Sequence, residues 1–543
     1  MRREKRREKR REKRGAVGSV GSVVGLLVIA LVAAGCGSVP ADTRLEGTRS
    51  PGAPGTSPGG PTSTTRVRRP SSAPTAGGPP ASGPSVTTST PAAVLDWQGC
   101  GEKLQCAVLT VPKDYADPSK GTLDLFLKRR PAGSKSRRVG SLLDNPGGPG
   151  VPGTTVATNA DGYLGTPLLE RFDIVAWDPR GTGKSSQVVC VDDHDPYFVI
   201  DISPDDDAER QSLIAAARSF DDQCAKRNAD LLPYVSTEAS AHDMDRIRQA
   251  LGEPKISYFG FSYGSDLGAV WATLFPSTVR AMVIDGAIDP TAGTASFLKQ
   301  QAVGLERALN ALLAACAKDR SCPIYNGGNP GAIYDKVMAD LDRTPLPVAD
   351  APGRPVTQGV ASWAVAQVLY LDALWPALTS ALAEEQKRNG RPLLDLYDSF
   401  LTDGGEFPHI FDALVAINCL DDPSPSTQAA FDALDLEAKA LAPRMGPYVV
   451  GQPFCVYWPV RGKGRVKVTG KGAGPIVVVG TTGDPVTPIE STANMAKALE
   501  GGVFVTAQAN QHTGYQTGAC IDDVVESYLI NLKVPPAGVV CKR

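Results

Sequence analysis

The chain has 543 residues, of which 42% are hydrophobic and 21% are charged. This composition is ordinary for a globular protein, and the length allows one large domain or two to three smaller ones. Residues 1–14 contain ten Lys and Arg and three Glu, a charge of +7, so the net charge of −2 leaves −9 on the rest of the chain. An acidic body lacks the basic surface that nucleic-acid binding requires.

An apolar run, "GAVGSVGSVVGLLVIALVAAGC", follows the basic residues 1–14. A basic segment, an apolar segment and a small-residue end form the pattern of an export signal. We therefore predict a signal peptide over residues 1–35. A nucleic-acid-binding arm and a retained membrane anchor are the alternatives, and the apolar run is long enough to be marginal for the second.

The apolar run ends at Cys36, in a sequence that resembles a lipid-attachment motif, although Ala33 stands where such motifs usually have Leu. We predict that Cys36 carries a lipid anchor, because two acyl chains hold a protein stably on a membrane. Plain secretion is the alternative. Residues 36–95 are rich in Ser, Thr, Pro and Gly, a composition that predicts a disordered tether. The protein is then expected in the cell envelope or outside the cell.

Eleven cysteines are present, and ten remain when Cys36 is set aside. An even number in an exported chain predicts disulfide bonds. The spacing contains no CxxC pair, which disfavours a zinc site, and we expect neither a metal nor a cofactor. Sequence alone does not give the connectivity, so we take neighbours as partners: Cys100–Cys106, Cys190–Cys224, Cys316–Cys322, Cys419–Cys455 and Cys520–Cys541.

The folded part begins with two β-runs, "CAVLTVPKDY" and "TLDLFLKRR", which predict antiparallel strands at a sheet edge. Five later β-runs end in loops, namely "GSLLDNPGGPG", "FDIVAWDPRGTG", "KISYFGFSYGS", "VRAMVIDGAIDP" and "PIVVVGTTGDPVTP", and "GVFVTAQANQH" is the last strand. Helical patterns such as "TEASAHDMDRIRQALG" and "STANMAKALEGG" lie between them. This alternation predicts an α/β fold with a mostly parallel, doubly wound sheet.

A mainly helical stretch interrupts the β-runs, with "FLKQQAVGLERALNALLAACAKD" and "SWAVAQVLYLDALWPALTSALAEEQ" as its clearest helices. We predict that residues 291–470 form a cap inserted into the sheet domain, whose two parts are residues 96–290 and 471–543. Reactive loops are expected at the carboxyl ends of the strands, beneath this cap.

The sequence "DPRGTGKSS" at residues 178–186 ends like a phosphate-binding P-loop. A P-loop needs a glycine five positions before Gly183, so that the backbone curls around a phosphate. Asp178 occupies that position and would repel the anion. We therefore expect no nucleotide at this loop.

The sequence Gly260-Phe261-Ser262-Tyr263-Gly264 is a G-x-S-x-G motif between a β-run and a helix. Glycines two positions away let a serine stand on a sharp strand-to-helix turn with its hydroxyl exposed. Ser262 is therefore the candidate nucleophile, and it needs a base.

Four histidines are the candidate bases. His512 follows the last β-run, where the base of a hydrolase belongs. His242 precedes the nucleophile strand on a helix and is expected to be structural. His194 lies in the acidic sequence "VDDHDP" and is expected at the solvated surface, whereas His409 falls in the cap and is an alternative residue of the cleft.

Asp484, in "GTTGDPVTP", is the candidate acid that orients the base, and Asp289 is its rival. The order Ser262, Asp484, His512 is the order of the α/β-hydrolase fold. Two backbone N–H groups must stabilise the charge on the carbonyl oxygen of the substrate. We predict the N–H of Tyr263 and that of Gly148 in "NPGGPG", with Gly147 as the alternative.

Five stretches in this order, "LLDNPGGPG", "FDIVAWDPRGTGKS", "ISYFGFSYGS", "VRAMVIDGAIDP" and "GTTGDPVTP", resemble the α/β-hydrolase peptidases of the tripeptidyl-aminopeptidase and prolyl-aminopeptidase group. The resemblance spans about residues 96–541 and is greatest to the exported branch with a TAP-like C-terminal segment. It implies the same roles for Ser262, Asp484 and His512, and no phosphate at "DPRGTG". Pro146 stands where prolyl aminopeptidases have His, and Gln511 where relatives often have Gly before the histidine.

Exopeptidases of this kind bind the free amine of the substrate with carboxylates, so Asp421 and Asp422 in "INCLDDP" are candidate amine ligands, with a solvated acidic turn as the alternative. The sequence predicts a monomeric exported serine peptidase that acts on peptides or proteins and releases short, di- or tripeptide-type fragments from the N-terminus. An envelope esterase or lipase, an endopeptidase with the same triad, and a non-catalytic binding module are the alternatives.

Overall fold

The computed structural model describes residues 95–402 and 408–543. The predicted signal peptide, Cys36 and most of the tether lie outside these residues. Within the described part, no helix is both long and apolar enough to span a membrane.

Ten strands of the described chain form one sheet in the order β1-β2-β3-β5-β4-β6-β7-β8-β9-β10. Their bounds are β1 Gln98–Gly99, β2 Gln105–Pro112, β3 Thr122–Arg130, β4 Gly140–Asn145, β5 Phe172–Trp177, β6 Ile256–Phe261, β7 Val279–Asp285, β8 Ile476–Thr481, β9 Gly502–Gln508 and β10 Val539–Lys542. The pairs β1/β2, β2/β3 and β3/β5 are antiparallel, and the pairs from β5 to β10 are parallel. The predicted mostly parallel sheet is confirmed.

The parallel strands are buried on both faces because neighbouring residues along each strand enter different cores. Leu143 and Val175 pack in one core, whereas Leu142 and Ile174 pack in the other. Every residue of β4, β5, β6 and β8 is buried. Continuous apolar runs of this kind are what a sheet covered by helices on both sides requires.

Helices before β8 that accompany the sheet are α1 Thr154–Thr158, α2 Ala160–Tyr163, α3 Thr166–Arg171, α4 Asp195–Phe198, α5 Asp207–Asn228, α6 Thr237–Ala250 and α7 Tyr263–Leu274. Two more, α17 Ile489–Ala498 and α18 Ala519–Asn531, follow β8. Good N-caps start some of them, since Ser236 accepts a hydrogen bond from the N–H of Ala239 at the start of α6.

The chain leaves the sheet after β7 and returns to it at β8. The helices between these strands are α8 Thr294–Lys318, α9 Pro330–Arg343, α10 Gln358–Val368, α11 Trp375–Glu385, α12 Arg391–Leu401, α13 Ile410–Asp421, α14 Gln428–Leu441, α15 Gly446–Val450 and α16 Phe454–Tyr457. Helices α8 to α12 share a second apolar core, which includes Leu309, Val337 and Leu378 and is joined by Phe198 of α4 and Val449 of α15. Helix α13 instead packs into the sheet core through Ala416 and Ile417.

Five disulfide bonds link the cysteines of the described chain, and each joins the neighbours that the sequence suggested. The bond Cys419–Cys455 joins α13 to α16, and Cys520–Cys541 joins α18 to the edge strand β10. Cross-links of this kind reduce the conformational freedom of the unfolded chain.

Candidate active site

Ser262 stands at the sharp turn between β6 and α7, with φ 53° and ψ −124°. Residues other than glycine adopt a positive φ only at a cost in energy. A Cβ on Gly260 would collide with the carbonyl oxygen of Gly264, and a Cβ on Gly264 would lie 2.6 Å from the carbonyl oxygen of Asn145. Both glycines are therefore needed for the turn that presents Ser262.

Asp484 follows β8 and His512 follows β9, and these strands are parallel neighbours. Their carboxyl ends meet at the same edge of the sheet as the turn of Ser262. His512 Nδ1 lies 2.9 Å from both Oδ1 and Oδ2 of Asp484. The two predicted residues are thus a hydrogen-bonded pair.

The Asp484 carboxylate is held by its own loop. Oδ1 accepts the N–H of Val486 at 2.9 Å and of Thr487 at 2.8 Å, and Oδ2 accepts the Thr487 hydroxyl at 3.0 Å. Burial opposes protonation of His512, but the charge and hydrogen bond of Asp484 outweigh burial, so the pKa of His512 is raised. Asp484 therefore stabilises the imidazolium form.

Ser262 and His512 line the same cavity, whose volume is about 400 Å³. His512 Nε2 is buried and has no hydrogen-bond partner among the described residues, so it is not bonded to the Ser262 hydroxyl. Nucleophile–base hydrogen bonds are often loose without a substrate and tighten in the complex. The imidazole thus has one nitrogen, Nδ1, hydrogen-bonded to Asp484, and a second, Nε2, that is free to take a proton.

The loop after β4 approaches the Ser262 turn closely. A Cβ on Gly147 would lie 2.8 Å from the Ser262 Cβ and 3.1 Å from the Tyr263 backbone nitrogen. The Gly147 N–H donates to Asn145 Oδ1 at 2.9 Å. Because this N–H is occupied, Gly148, which lines the cavity, is the better candidate for the second oxyanion donor.

The cavity wall is mostly aromatic and apolar. Its aromatic side chains include Phe198, Trp363, Tyr370, Phe411, Tyr448 and Phe454, all contributed by helices or loops outside the sheet. Apart from His512, Arg465 is the charged side chain that the described lining contains. Such a wall fits apolar groups of a substrate next to the serine.

The other three histidines are not among the residues that line the cavity of Ser262. His242 stacks on Tyr115 with ring centroids 4.7 Å apart. The expectation that His194 is solvated is wrong, because it is 1% exposed and its Nε2 lies 2.6 Å from Asp412 Oδ1. His409 is not among the cavity residues, and its Nδ1 lies 2.9 Å from Asp412 Oδ2.

The ligand atoms of His194, His409 and Asp412 lie within 4.8 Å of one another, a spacing that a metal ion could bridge. Both carboxylate oxygens already have partners, since Oδ1 bonds His194 while Oδ2 bonds His409 and the N–H of Cys190. Both oxygens of the Asp412 carboxylate are therefore satisfied within this group.

Asp421 and Asp422, the candidate amine ligands, are not among the residues that line the cavity of Ser262. Asp421 is 6% exposed and accepts the N–H of Thr237 at 3.0 Å, and burial raises the pKa of this carboxyl to about 7. Asp422 accepts the N–H of Thr294 at 2.8 Å. The geometry does not support amine binding by this pair, because their oxygens hold backbone segments instead.

Asp289, the rival acid, accepts hydrogen bonds from Thr291, Gln300 and Asn494 and none from His512. At the P-loop-like sequence, Asp178 Oδ2 accepts the N–H of Lys184 at 2.9 Å, and Arg180 is buried against Asp243 at 2.6 Å. The carboxylate of Asp178 thus takes the N–H that a phosphate would need in this loop.

Sequence reasoning missed three residues around the triad candidates. Thr487 bonds the carboxylate of Asp484, and the carbonyl of Tyr370 accepts the N–H of His512 at 2.8 Å. Asp285, at the end of β7, accepts the N–H groups of Gly514 and Tyr515. The sequence "VIDG" held the signal for Asp285, since an acidic residue at the end of a buried strand needs partners.

Two family models match the chain. One, described as an alpha/beta hydrolase fold, covers residues 142–326, and the other, described as a TAP-like protein, covers residues 442–541. Serine protease Hip1 of Mycobacterium tuberculosis is 34% identical over 456 residues, which are 80% of this chain and 87% of that protein. The chain belongs to the TAP-like α/β hydrolases.

Other members of this family are also similar to this TAP-like hydrolase. Carboxylesterase B of Mycobacterium tuberculosis is 32% identical, over 82% of this chain and 89% of that protein. Tripeptidyl aminopeptidase of Streptomyces lividans is 29% identical, over 82% of this chain and 86% of that protein. The relatives therefore carry the names of both peptidases and an esterase.

Proposed function

We propose that this TAP-like hydrolase is an exported serine peptidase that cleaves peptides or proteins through Ser262, His512 and Asp484. One observation carries the proposal: a serine on a strained strand-to-helix turn lines one cavity together with a histidine that is hydrogen-bonded to an aspartate. The names of the relatives, serine protease and tripeptidyl aminopeptidase, support peptide substrates.

In the first half of the reaction, His512 Nε2 takes the proton of the Ser262 hydroxyl as its oxygen attacks the substrate carbonyl. Asp484 holds Nδ1 and stabilises the imidazolium. The N–H groups of Tyr263 and Gly148 stabilise the oxyanion. His512 then gives its proton to the leaving amine, and the acyl group stays on Ser262.

In the second half, water enters from the cavity and His512 Nε2 takes one of its protons. The hydroxide attacks the acyl-enzyme ester, and the same N–H groups stabilise the second oxyanion. The proton returns to the Ser262 oxygen, which releases the acid product. Each step thus uses the unbonded Nε2 of His512 and the Nδ1 that Asp484 fixes.

Product analysis by mass spectrometry tests the peptidase directly. Peptides with a free N-terminus and the same peptides with an acetylated N-terminus are digested by the wild type and by Ser262→Ala. We expect wild-type cleavage and none by the variant, and fragments of two or three residues from the free peptides if the enzyme is an aminopeptidase. Equal cleavage of both sets would assign an endopeptidase, and turnover by Ser262→Ala would overturn the proposal.

An esterase is the second candidate, favoured by the apolar cavity wall and by the relative named carboxylesterase B. The same triad would hydrolyse an ester, since only the leaving group differs. Comparing kcat/KM for a peptide anilide and the ester of the same acyl group separates the two. An enzyme that turns over esters alone is an esterase.

For the N-terminal region we propose that residues 1–35 are removed on export and that Cys36 is lipidated. The basic and apolar sequence pattern supports this. We also propose that the folded part consists of a sheet domain, residues 96–290 and 471–543, with a cap over residues 291–470. Labelling of cells with a clickable palmitate analogue should mark the wild type and leave Cys36→Ala unmarked, whereas equal labelling of both would contradict lipidation at Cys36.

A further inference from the structure

Asp285 is the last residue of β7, between the strand of the Ser262 turn and the strand that leads to Asp484. Its backbone carbonyl accepts the N–H of Ser262 at 2.9 Å. This hydrogen bond fixes the backbone of the strained residue that presents the hydroxyl. The main chain of Asp285 therefore contacts the nucleophile directly.

The side chain of Asp285 reaches the loop that carries the base. Oδ1 accepts the N–H of Gly514 at 2.8 Å, and Oδ2 accepts the N–H of Tyr515 at 2.7 Å. Both donors come shortly after His512 in the chain. Thr513 has φ 67° and Gln516 has φ 65°, so the loop is strained on both sides of the two bonded residues and needs outside support.

The next residue completes the contact between Asp285 and the base. Gly286 has φ 67°, and a Cβ there would lie 3.1 Å from His512 Cε1. The Gly286 N–H donates to the carbonyl of Val479 on β8 at 3.0 Å. The imidazole therefore rests against backbone whose position is set by the sheet.

Burying the Asp285 carboxyl costs desolvation energy, and this cost is reflected in its pKa. Asp285 is fully buried, and burial raises its pKa to about 7, although the N–H groups of Tyr515 and Gly514 oppose the shift. A buried carboxylate is retained in a fold only when its hydrogen bonds offset desolvation. Here each of those hydrogen bonds goes to the His512 loop.

We propose that Asp285 is a positioning residue, which sets the distance between Ser262 and His512 by holding the turn with its carbonyl and the histidine loop with its carboxylate. The inference rests on the proposed function, because it assigns the support of the same triad. Asp285 touches neither substrate nor the reacting atoms. It acts on the rate by keeping His512 Nε2 within reach of the hydroxyl, and small displacements of reacting groups are costly.

Two substitutions test this role. Asp285→Ala removes both acceptors, whereas Asp285→Asn keeps one carbonyl oxygen for the N–H groups of the loop. Asp243→Asn is the matched control, because Asp243 is another fully buried aspartate, bonded to Arg180 rather than to the histidine loop. Each protein is titrated to completion with a fluorophosphonate, so that kcat is expressed per active serine and unfolded protein does not contribute.

We expect Asp285→Ala to lower kcat per titrated site about 100-fold with KM nearly unchanged, Asp285→Asn to lower it less, and the control to match the wild type. A purely structural role would lower the titratable fraction and leave kcat per site intact, and that result for either Asp285 variant would overturn the inference. Failure of the proposed function is a separate outcome, because it would appear as turnover by Ser262→Ala.

Discussion

Among the described residues, two buried groups join histidine to aspartate, and they differ in whether the histidine lines the cavity of Ser262. Asp484 pairs with Nδ1 of His512, a residue that lines the cavity of Ser262, and Nε2 has no hydrogen-bond partner among the described residues. Asp412 instead lies between His194 and His409, with oxygen–nitrogen distances of 2.6 and 2.9 Å. A histidine that is bonded to an aspartate is a candidate base only where the other nitrogen of its ring lies near a nucleophile.

The second group links separate parts of the fold. His194 comes just before α4, after the fifth strand, whereas Asp412 lies in the first turn of α13. Asp412 also accepts the N–H of Cys190, a disulfide-bonded residue. This group therefore holds α13 against the segment after β5, and its contribution is to stability.

Replacing one histidine from each group gives the largest contrast. His512→Ala should lower kcat by about 10⁵-fold, because no other side chain takes the Ser262 proton. His409→Ala should leave kcat per active site unchanged, since its ring contacts Asp412 and His194 and it is not among the residues that line the cavity. Steady-state kinetics on one ester and one peptide substrate measures both, and equal losses would remove the distinction between the groups.

Replacing the two aspartates separates catalysis from stability. Asp484→Asn should lower kcat by about 10³- to 10⁴-fold, because the amide no longer fixes the tautomer or stabilises the imidazolium. Asp412→Asn should cost about 1–3 kcal/mol of stability, because hydrogen bonds to buried groups are lost, with kcat per active site intact. Thermal unfolding and active-site-normalised kinetics should show opposite patterns, and a catalytic defect in Asp412→Asn would contradict this assignment.

Of these two groups, the pH dependence of kcat/KM reports on the first and not on the second. His512 must be neutral to accept a proton, and its pKa is raised by Asp484 despite burial. Activity should therefore fall with decreasing pH through a midpoint above about 6.5, the ordinary histidine value. In Asp484→Asn the residual activity should fall at a lower pH, and an unshifted midpoint would mean that His512 is not the group that titrates.

Asp221 is a buried aspartate that belongs to neither group, and we expect its replacement to have the smallest effect on the protein. Asp221 on α5 is 2% exposed, neither carboxyl oxygen has a hydrogen-bond partner among the described residues, and burial raises its pKa to about 9. The stability associated with its proton is complete below the unfolded pKa and is lost as pH rises towards 9. Asp221→Asn should therefore raise stability at pH 8 and change it little at pH 4, which thermal unfolding at both pH values measures.

Local patterns in the sequence predict the fold and the triad candidates. The glycines around Ser262 report a steric need of the turn itself, and Asp484 and His512 each follow a β-run whose place in a parallel sheet is fixed by chain order. The roles of Asp285 and Asp421 depend on partners that are distant in the chain, such as Gly514 and Thr237. His194 was placed wrongly for the same reason, because its acidic neighbours suggest a surface loop and only tertiary structure brings Asp412 to it.

Covalent labelling shows whether Ser262 is the nucleophile and whether His512 activates it. The intact protein is treated with a fluorophosphonate and the modified peptide is identified by mass spectrometry. We expect one adduct, on Ser262, absent in Ser262→Ala and formed far more slowly in His512→Ala than in His409→Ala. An adduct on another residue, or labelling that is equally fast in the two histidine variants, would contradict this expectation.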